Sequence, residues 1–136
     1  MLHPSAAVRV SGDKSCHVTN RGALTNGHHP GDKIVWKAYF QKAARYAVWL
    51  RTETWAHSRP WAGDRRVEVR IDDHSVSADL EKDRPLPHTV YDRADSSIGL
   101  LDVTAGEHEI AVRTLSSGAS AQYYDVSALI LTECRK

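Results

Sequence analysis

The sequence predicts an all-β domain, a sandwich or barrel of short strands. Three observations carry this. Apolar residues recur with a period of two along the chain, turn residues separate the runs at short spacing, and helical periodicity is sustained nowhere. Many strands at short spacing, without an internal repeat, point to packed antiparallel sheets.

The elements follow in order. Residues 1–30 read as an irregular N-terminal strand and loops, punctuated by Gly22, Gly27 and Pro30, with Gly31 just after. Ile34, Trp36, Ala38 and Phe40 then alternate with Val35, Lys37 and Tyr39, which puts Trp36 in the core. Gln41 to Arg45 is too short for a helix and fits a turn. Tyr46, Val48 and Leu50 alternate with Ala47, Trp49 and Arg51 in a strand running to Thr54. Trp49 is out of phase and belongs on the other sheet face, beside Arg51. Trp55 to Asp64, with two Trp, a Pro and a Gly, is a loop. Val67, Val69 and Ile71 form the next strand, and Asp72-Asp73 turns it into Ser75–Leu80. Glu81 to His88, with two Pro and four charged residues, reads as a loop. Thr89 to Val103 reads as one interrupted crossing, and Ala105-Gly106 turns it into Glu107–Leu115. Ser116 to Gln122 is a loop of small residues. Val126 to Thr132 is apolar on both faces and suits a central strand.

Counting reversals places the loops. If each strand crosses the sandwich once, the loops after Thr54, Leu80 and Leu115 share one end, the loop end. The tight turns at Gln41–Arg45, Asp72-Asp73 and Ala105-Gly106 share the other, the turn end. A reversal within Asp92–Ser96 would instead move the Ser116 loop to the turn end.

Composition limits the function. The 136 residues make one domain, with 41% hydrophobic and 26% charged residues, a globular balance. Lys plus Arg total 18 against 17 Asp plus Glu, so no charge excess exists to hold a nucleic acid or an anionic membrane. No run approaches the roughly 18 apolar residues of a membrane span. Residues Met1 to Val10 hold no long apolar run, so no signal peptide is expected there. Cys16 and Cys134 belong to no metal-ligand cluster. They pair as a disulfide if the first and last strands are neighbours, and otherwise are two inert buried thiols.

Several motifs resemble carbohydrate-binding modules of the family 6 and family 35 kind. They are Asp32-Lys33-Ile34-Val35-Trp36-Lys37-Ala38 and Ala44-Arg45-Tyr46-Ala47-Val48-Trp49-Leu50-Arg51, then Val67-Glu68-Val69-Arg70-Ile71-Asp72 and Thr89. Ala105-Gly106-Glu107-His108-Glu109-Ile110 and Tyr124-Asp125-Val126 through Leu131 continue the pattern. The likeness spans about Gly31 to Thr132. It implies a galactose-binding-like β-sandwich jelly roll of two antiparallel sheets, covering residues 1–136 as a single domain. It also implies non-catalytic binding of a polysaccharide or glycan, as an accessory domain of a glycoside hydrolase or sulfatase. The setting implied is extracellular or periplasmic, within a larger exported protein. The chain departs from the pattern at Arg45, where the family has Gly, and at Ala6 to Val10, which lack the family's calcium-holding carboxylates. Asp125 alone matches that calcium set, so either no cofactor or a calcium ion fits. Trp49 has two readings, packing beneath the N-terminal segment or a second binding surface like that of some family members.

An aromatic face contacts the C–H side of a sugar ring, and charged or amide groups bond its hydroxyls. Trp55, Trp61, Tyr123 and Tyr124 lie in or beside the loop-end segments and are the candidate platforms. His57, Arg59, Asp64 and Arg84 are the candidate polar contacts. The rival arrangement has Trp55 capping its strand and Trp61 packing under its own loop. His28-His29 read as a solvated pair, since adjacent strand side chains face opposite ways. His108 and Glu109 are assigned to the surface. No GxSxG, HExxH, P-loop or GxGxxG motif points to catalysis. The alternative function is a structural or protein-interaction sandwich that docks on a neighbouring domain of a larger enzyme.

Overall fold

The computed structural model describes residues 9–11, 17–18, 24–25, 33–55, 65–81, 83–86, 91–117 and 125–134. Their strands are β1 (Arg9–Ser11), β2 (His17–Val18), β3 (Leu24–Thr25), β4 (Lys33–Phe40), β5 (Ala44–Trp55) and β6 (Arg65–Ile71). β7 (His74–Asp79), β8 (Arg84–Leu86), β9 (Tyr91–Val103), β10 (Gly106–Ser117) and β11 (Asp125–Glu133) complete them.

The strands form two sheets. One has five strands in the order β1-β4-β10-β6-β7, the other six in the order β2-β3-β11-β5-β9-β8. Each described pairing within them is antiparallel. The inner faces meet in one core of Ile34, Trp36, Val48, Leu50, Val69, Ile98, Ile110 and Leu129, with further Val and Leu around them. Period-two alternation produces this directly. Along β6 burial reads strictly in and out, with Arg65, Val67, Val69 and Ile71 inside. Trp36 is 1% exposed, at the centre, as its phase requires. The antiparallel sandwich expected from the sequence is therefore the fold.

The single crossing holds as well. β9 runs unbroken from Tyr91 to Val103 along β5, so Asp92–Ser96 makes no reversal. Its interruption is a bulge, where Trp49 pairs with Ser97 and Val48 with Gly99, leaving Ile98 as the extra residue. β11 lies between β3 and β5, the interior position its two apolar faces anticipated.

Two segments differ from expectation. Glu81 to His88 is not all loop, because Arg84–Leu86 pairs with Arg93–Asp95 as an edge strand. Pro85 is tolerated there because an edge leaves one side of the strand without a ladder partner. The Ser116 loop starts later, since β10 continues through Ser117.

His108 is the third difference. It is in phase with Ile110 and Val112 and so faces inward at the turn end, not outward. Its side chain is only 10% exposed. Its ring meets the edge of Phe40, with centroids 5.6 Å apart, and Phe40 in turn meets Tyr46 at 5.2 Å. Cys134 is an exposed thiol rather than a buried one, because it lies just past the end of β11, while Cys16, the other half of the candidate disulfide, lies outside the described residues.

Candidate functional site

Three cross-strand pairs bring the loop-end strand termini together. Trp55 lies opposite Tyr91, Glu53 opposite Asp125, and Arg65 opposite Ser117. The strand ends that flank residues 56–64, 87–90 and 118–124 thus lie at one end of the sandwich. The Leu80 backbone N–H donates to the Arg65 carbonyl at 2.8 Å, which ties the end of β7 to the same rim.

The core changes character towards that rim. At the turn end its inner positions are Phe40, Ile71, Leu101 and Val103. At the loop end they are Thr52, Arg65, Ser96 and Thr114, all buried. Buried polar groups persist where they are bonded, and the Ser96 hydroxyl donates to the Glu81 carbonyl at 2.5 Å. Sequence reasoning missed these four. The available signal was phase: Thr52, Arg65 and Thr114 share it with the buried Val, Leu and Ile of their strands, and Ser96 shares it with Ala94 and Ile98.

The predicted site residues fall in three groups. His57, Arg59, Trp61, Asp64, Tyr123 and Tyr124 lie outside the described residues. Trp55 is the last residue of β5 and Asp125 the first of β11, both on the loop-end rim. Arg84 stands on β8, at the outer face of the six-stranded sheet, and its guanidinium lies over the Trp49 ring, 4.1 Å from the centroid. That is a cation–π contact, and it occupies this face of the indole.

A charged ladder surrounds the pair. Arg51 holds Asp95 through two bonds, Nε–Oδ1 at 2.9 Å and Nη2–Oδ2 at 3.2 Å. Arg93 Nε donates to Glu53 Oε2 at 3.0 Å. The Ser97 backbone N–H donates to Asp83 Oδ2 at 2.8 Å, which straps the segment before β8 to the sheet. Glu53 and Asp95 are 4% and 5% exposed although both stand on an outer face. The bond to Asp95 holds the Arg51 guanidinium above its ordinary pKa.

Calcium was implied only through Asp125. The carboxylate opposite it in register is Glu53, and that group is engaged by Arg93. Among the described residues no group of three or more His, Cys, Asp or Glu is placed to hold a metal. At the turn end an open groove lies beside Cys134, but its charges are matched, Lys42 with Glu133 at 3.0 Å and Arg45 with Asp102 at 2.9 Å.

No protein-family model and no curated protein sequence matches the chain. Solved structures do. A Xyl-CBM35 structure, in complex with a glucuronic acid containing disaccharide, aligns with a TM-score of 0.60 at 15% identity, over 98% of this chain and 93% of that one. The carbohydrate-binding module CBM36, in complex with calcium and xylotriose, aligns with a TM-score of 0.61 at 12% identity, over 96% and 98%. A GH26-CBM35 β-(1,4)-mannanase of Podospora anserina aligns with a TM-score of 0.64 at 16% identity, over 99% of this chain but 27% of the enzyme. The chain therefore spans about a quarter of that enzyme, and nearly all of each isolated module. Its fold is the two-sheet β-sandwich of carbohydrate-binding modules.

Proposed function

We propose that the chain is a non-catalytic carbohydrate-binding module that holds an attached or partner enzyme near a polysaccharide. The observation that carries this is that the strand ends flanking residues 56–64, 87–90 and 118–124 share one polar rim of a module-length sandwich. Those segments and their flanks contain Trp55, Trp61, Tyr123 and Tyr124 as ring platforms, with His57, Arg59 and Asp64 as hydroxyl partners, while Arg84 is held on Trp49. Tethering raises effective substrate concentration without chemistry of its own. The ligand is a glycan outside the cell, so the setting is extracellular or periplasmic.

A glycan-array screen of the chain, run with calcium and again with chelator, tests the reading. A focused set of hits is expected. A blank from folded protein overturns it in favour of a domain that docks on a neighbour. Loss of the hits in chelator assigns calcium to the ligand site. On the best glycan, Trp55→Ala and Trp61→Ala are each expected to weaken binding by about 2 kcal/mol, roughly thirtyfold, with melting unchanged. Unchanged binding in both removes the platform from the loop end. Trp49→Ala is the companion measurement. Because Arg84 occupies the Trp49 ring, this substitution is expected to lower stability by about 1 kcal/mol while leaving glycan affinity within about twofold.

A further inference from the structure

At the turn end, one imidazole faces two acceptors. His108 Nδ1 contacts Asp72 Oδ2 directly. On the other side of the ring, Nε2 lies 2.7 Å from the Thr104 carbonyl oxygen and 3.3 Å from the Thr104 hydroxyl. A carbonyl and a carboxylate both lack a proton to give. A neutral imidazole has one N–H and can satisfy one of them; the imidazolium has two and satisfies both.

Asp72 is held from three directions. Its backbone is left-handed, φ +51°, at the turn between β6 and β7. Its N–H donates to the Glu109 carbonyl at 3.1 Å, and its Oδ1 accepts the Glu109 N–H at 3.2 Å. Its Oδ2 meets His108. The β6–β7 turn, the β9–β10 turn and the start of β10 therefore meet on one ring.

The other charges around the ring are few. From β4 it meets Phe40, with uncharged Ala38 opposite it in register. From the β6–β7 turn come Asp72, with Asp73 and His74 beside it, and His74 also acts on Asp72 and Asp102. Asp102 is already paired with Arg45. Glu107 and Glu109 flank His108 on β10 and, by alternation, face the other side of the sheet.

We propose that His108, Asp72 and Thr104 form a proton-operated clamp, which fastens the β6–β7 turn to the β9–β10 turn and loosens when the imidazolium loses its proton. The signs are fixed by the partners. Asp72 first, then the Thr104 carbonyl, raise the His108 pKa. Its stabilisation is complete below the ordinary histidine value of about 6.5 and is lost as pH rises through the raised value. His108 lowers the Asp72 pKa. That share is complete above the ordinary aspartate value of about 3.9 and is lost as pH falls through the lowered one. The clamp's stabilisation is therefore complete between roughly pH 4 and pH 6.5.

Long-range nitrogen–proton NMR of the histidine rings is the test, with His108→Gln identifying the His108 signals. Both ring nitrogens of His108 are expected to carry protons at pH 6, with a midpoint above about 6.5. A single neutral tautomer at pH 6, or a midpoint at or below that value, overturns the clamp. Thermal melting gives the second arm. The unmodified chain is expected to lose about 3 °C or more between pH 6 and pH 8.5, and His108→Gln to lose less than half as much. An equal slope in both overturns the proposal. If His108→Gln does not fold, Asp72→Asn serves, since it removes the carboxylate charge and should bring the His108 midpoint down; an unmoved midpoint also overturns it.

Discussion

Gly99→Val is expected to cost about 4 kcal/mol of stability, or to prevent folding altogether. Two independent penalties combine. Gly99 has φ +153°, a conformation that side-chain-bearing residues avoid at roughly 1–3 kcal/mol. A Cβ built there would lie 3.0 Å from the Val76 Cβ and 3.1 Å from its Cγ1. The obstacle is the root of a β-branched side chain, fixed to β7, so it cannot swing aside. Overpacking of this kind costs about 1–3 kcal/mol. Urea unfolding measures the sum, and Gly106→Val separates its parts. Gly106 also has a positive φ, +114°, but a Cβ added there would meet nothing within 4 Å. Gly106→Val should therefore carry the backbone penalty alone, about 2 kcal/mol. Equal costs at the two glycines would remove the packing argument at Gly99.

Gly99 also marks where sequence reasoning stops. The strands were legible because each buries one face, and burying one face writes a period of two into the chain. Val67, Val69 and Ile71 declare their strand for that reason. The bulge breaks the rule locally: Ile98 and Gly99 both approach the core, and no pattern in the sequence announces a skipped residue. β8 was illegible for a different reason. Three residues cannot display a period, and Pro85, with charges before it and Pro87 after it, looks like loop chemistry. His108 was misassigned for a third reason. Its polar side chain outweighed its phase, although the phase it shares with Ile110 and Val112 was the better guide. Thr52, Ser96 and Thr114 repeat that lesson at the loop end. What the sequence made legible around the candidate site is where its flanking strands end. Strand parity puts the long segments at one end, and the cross-strand pairs at Trp55, Arg65 and Asp125 agree.

The contrast between the two ends also has a physical cause. The turn end is closed by short connections, so apolar side chains such as Phe40 and Val103 can seal it, with His108 bonded into the seal. At the loop end, where the strand ends flanking the longer connections lie, the inner wall is built of Thr52, Ser96, Thr114 and Arg65. Polar side chains at such positions persist where they are bonded, so this end needs no dry apolar cap.

Arg51→Met is the second large effect, expected at about 3 kcal/mol. Asp95 stands on the outer face of the six-stranded sheet yet is almost wholly buried, and Arg51 bonds both of its carboxylate oxygens. Arg84 lies opposite Asp95 in register, but its guanidinium is committed to Trp49. Methionine keeps much of the arginine stem while removing the charge, so the loss reports the stranded carboxylate rather than a cavity. The double variant Arg51→Met/Asp95→Leu should recover about 2 kcal/mol of the deficit, the coupling expected of two groups in direct contact. One competing outcome is specific. If Arg84 swings from Trp49 to Asp95, the cost of Arg51→Met falls below about 1 kcal/mol and tryptophan fluorescence changes as the cation leaves the ring. Adding Arg84→Met would then restore the full penalty. That result would make Arg84 a reserve partner for the ladder, and would link the outer face of the sheet to β8 through one mobile cation rather than through the Arg51–Asp95 bond.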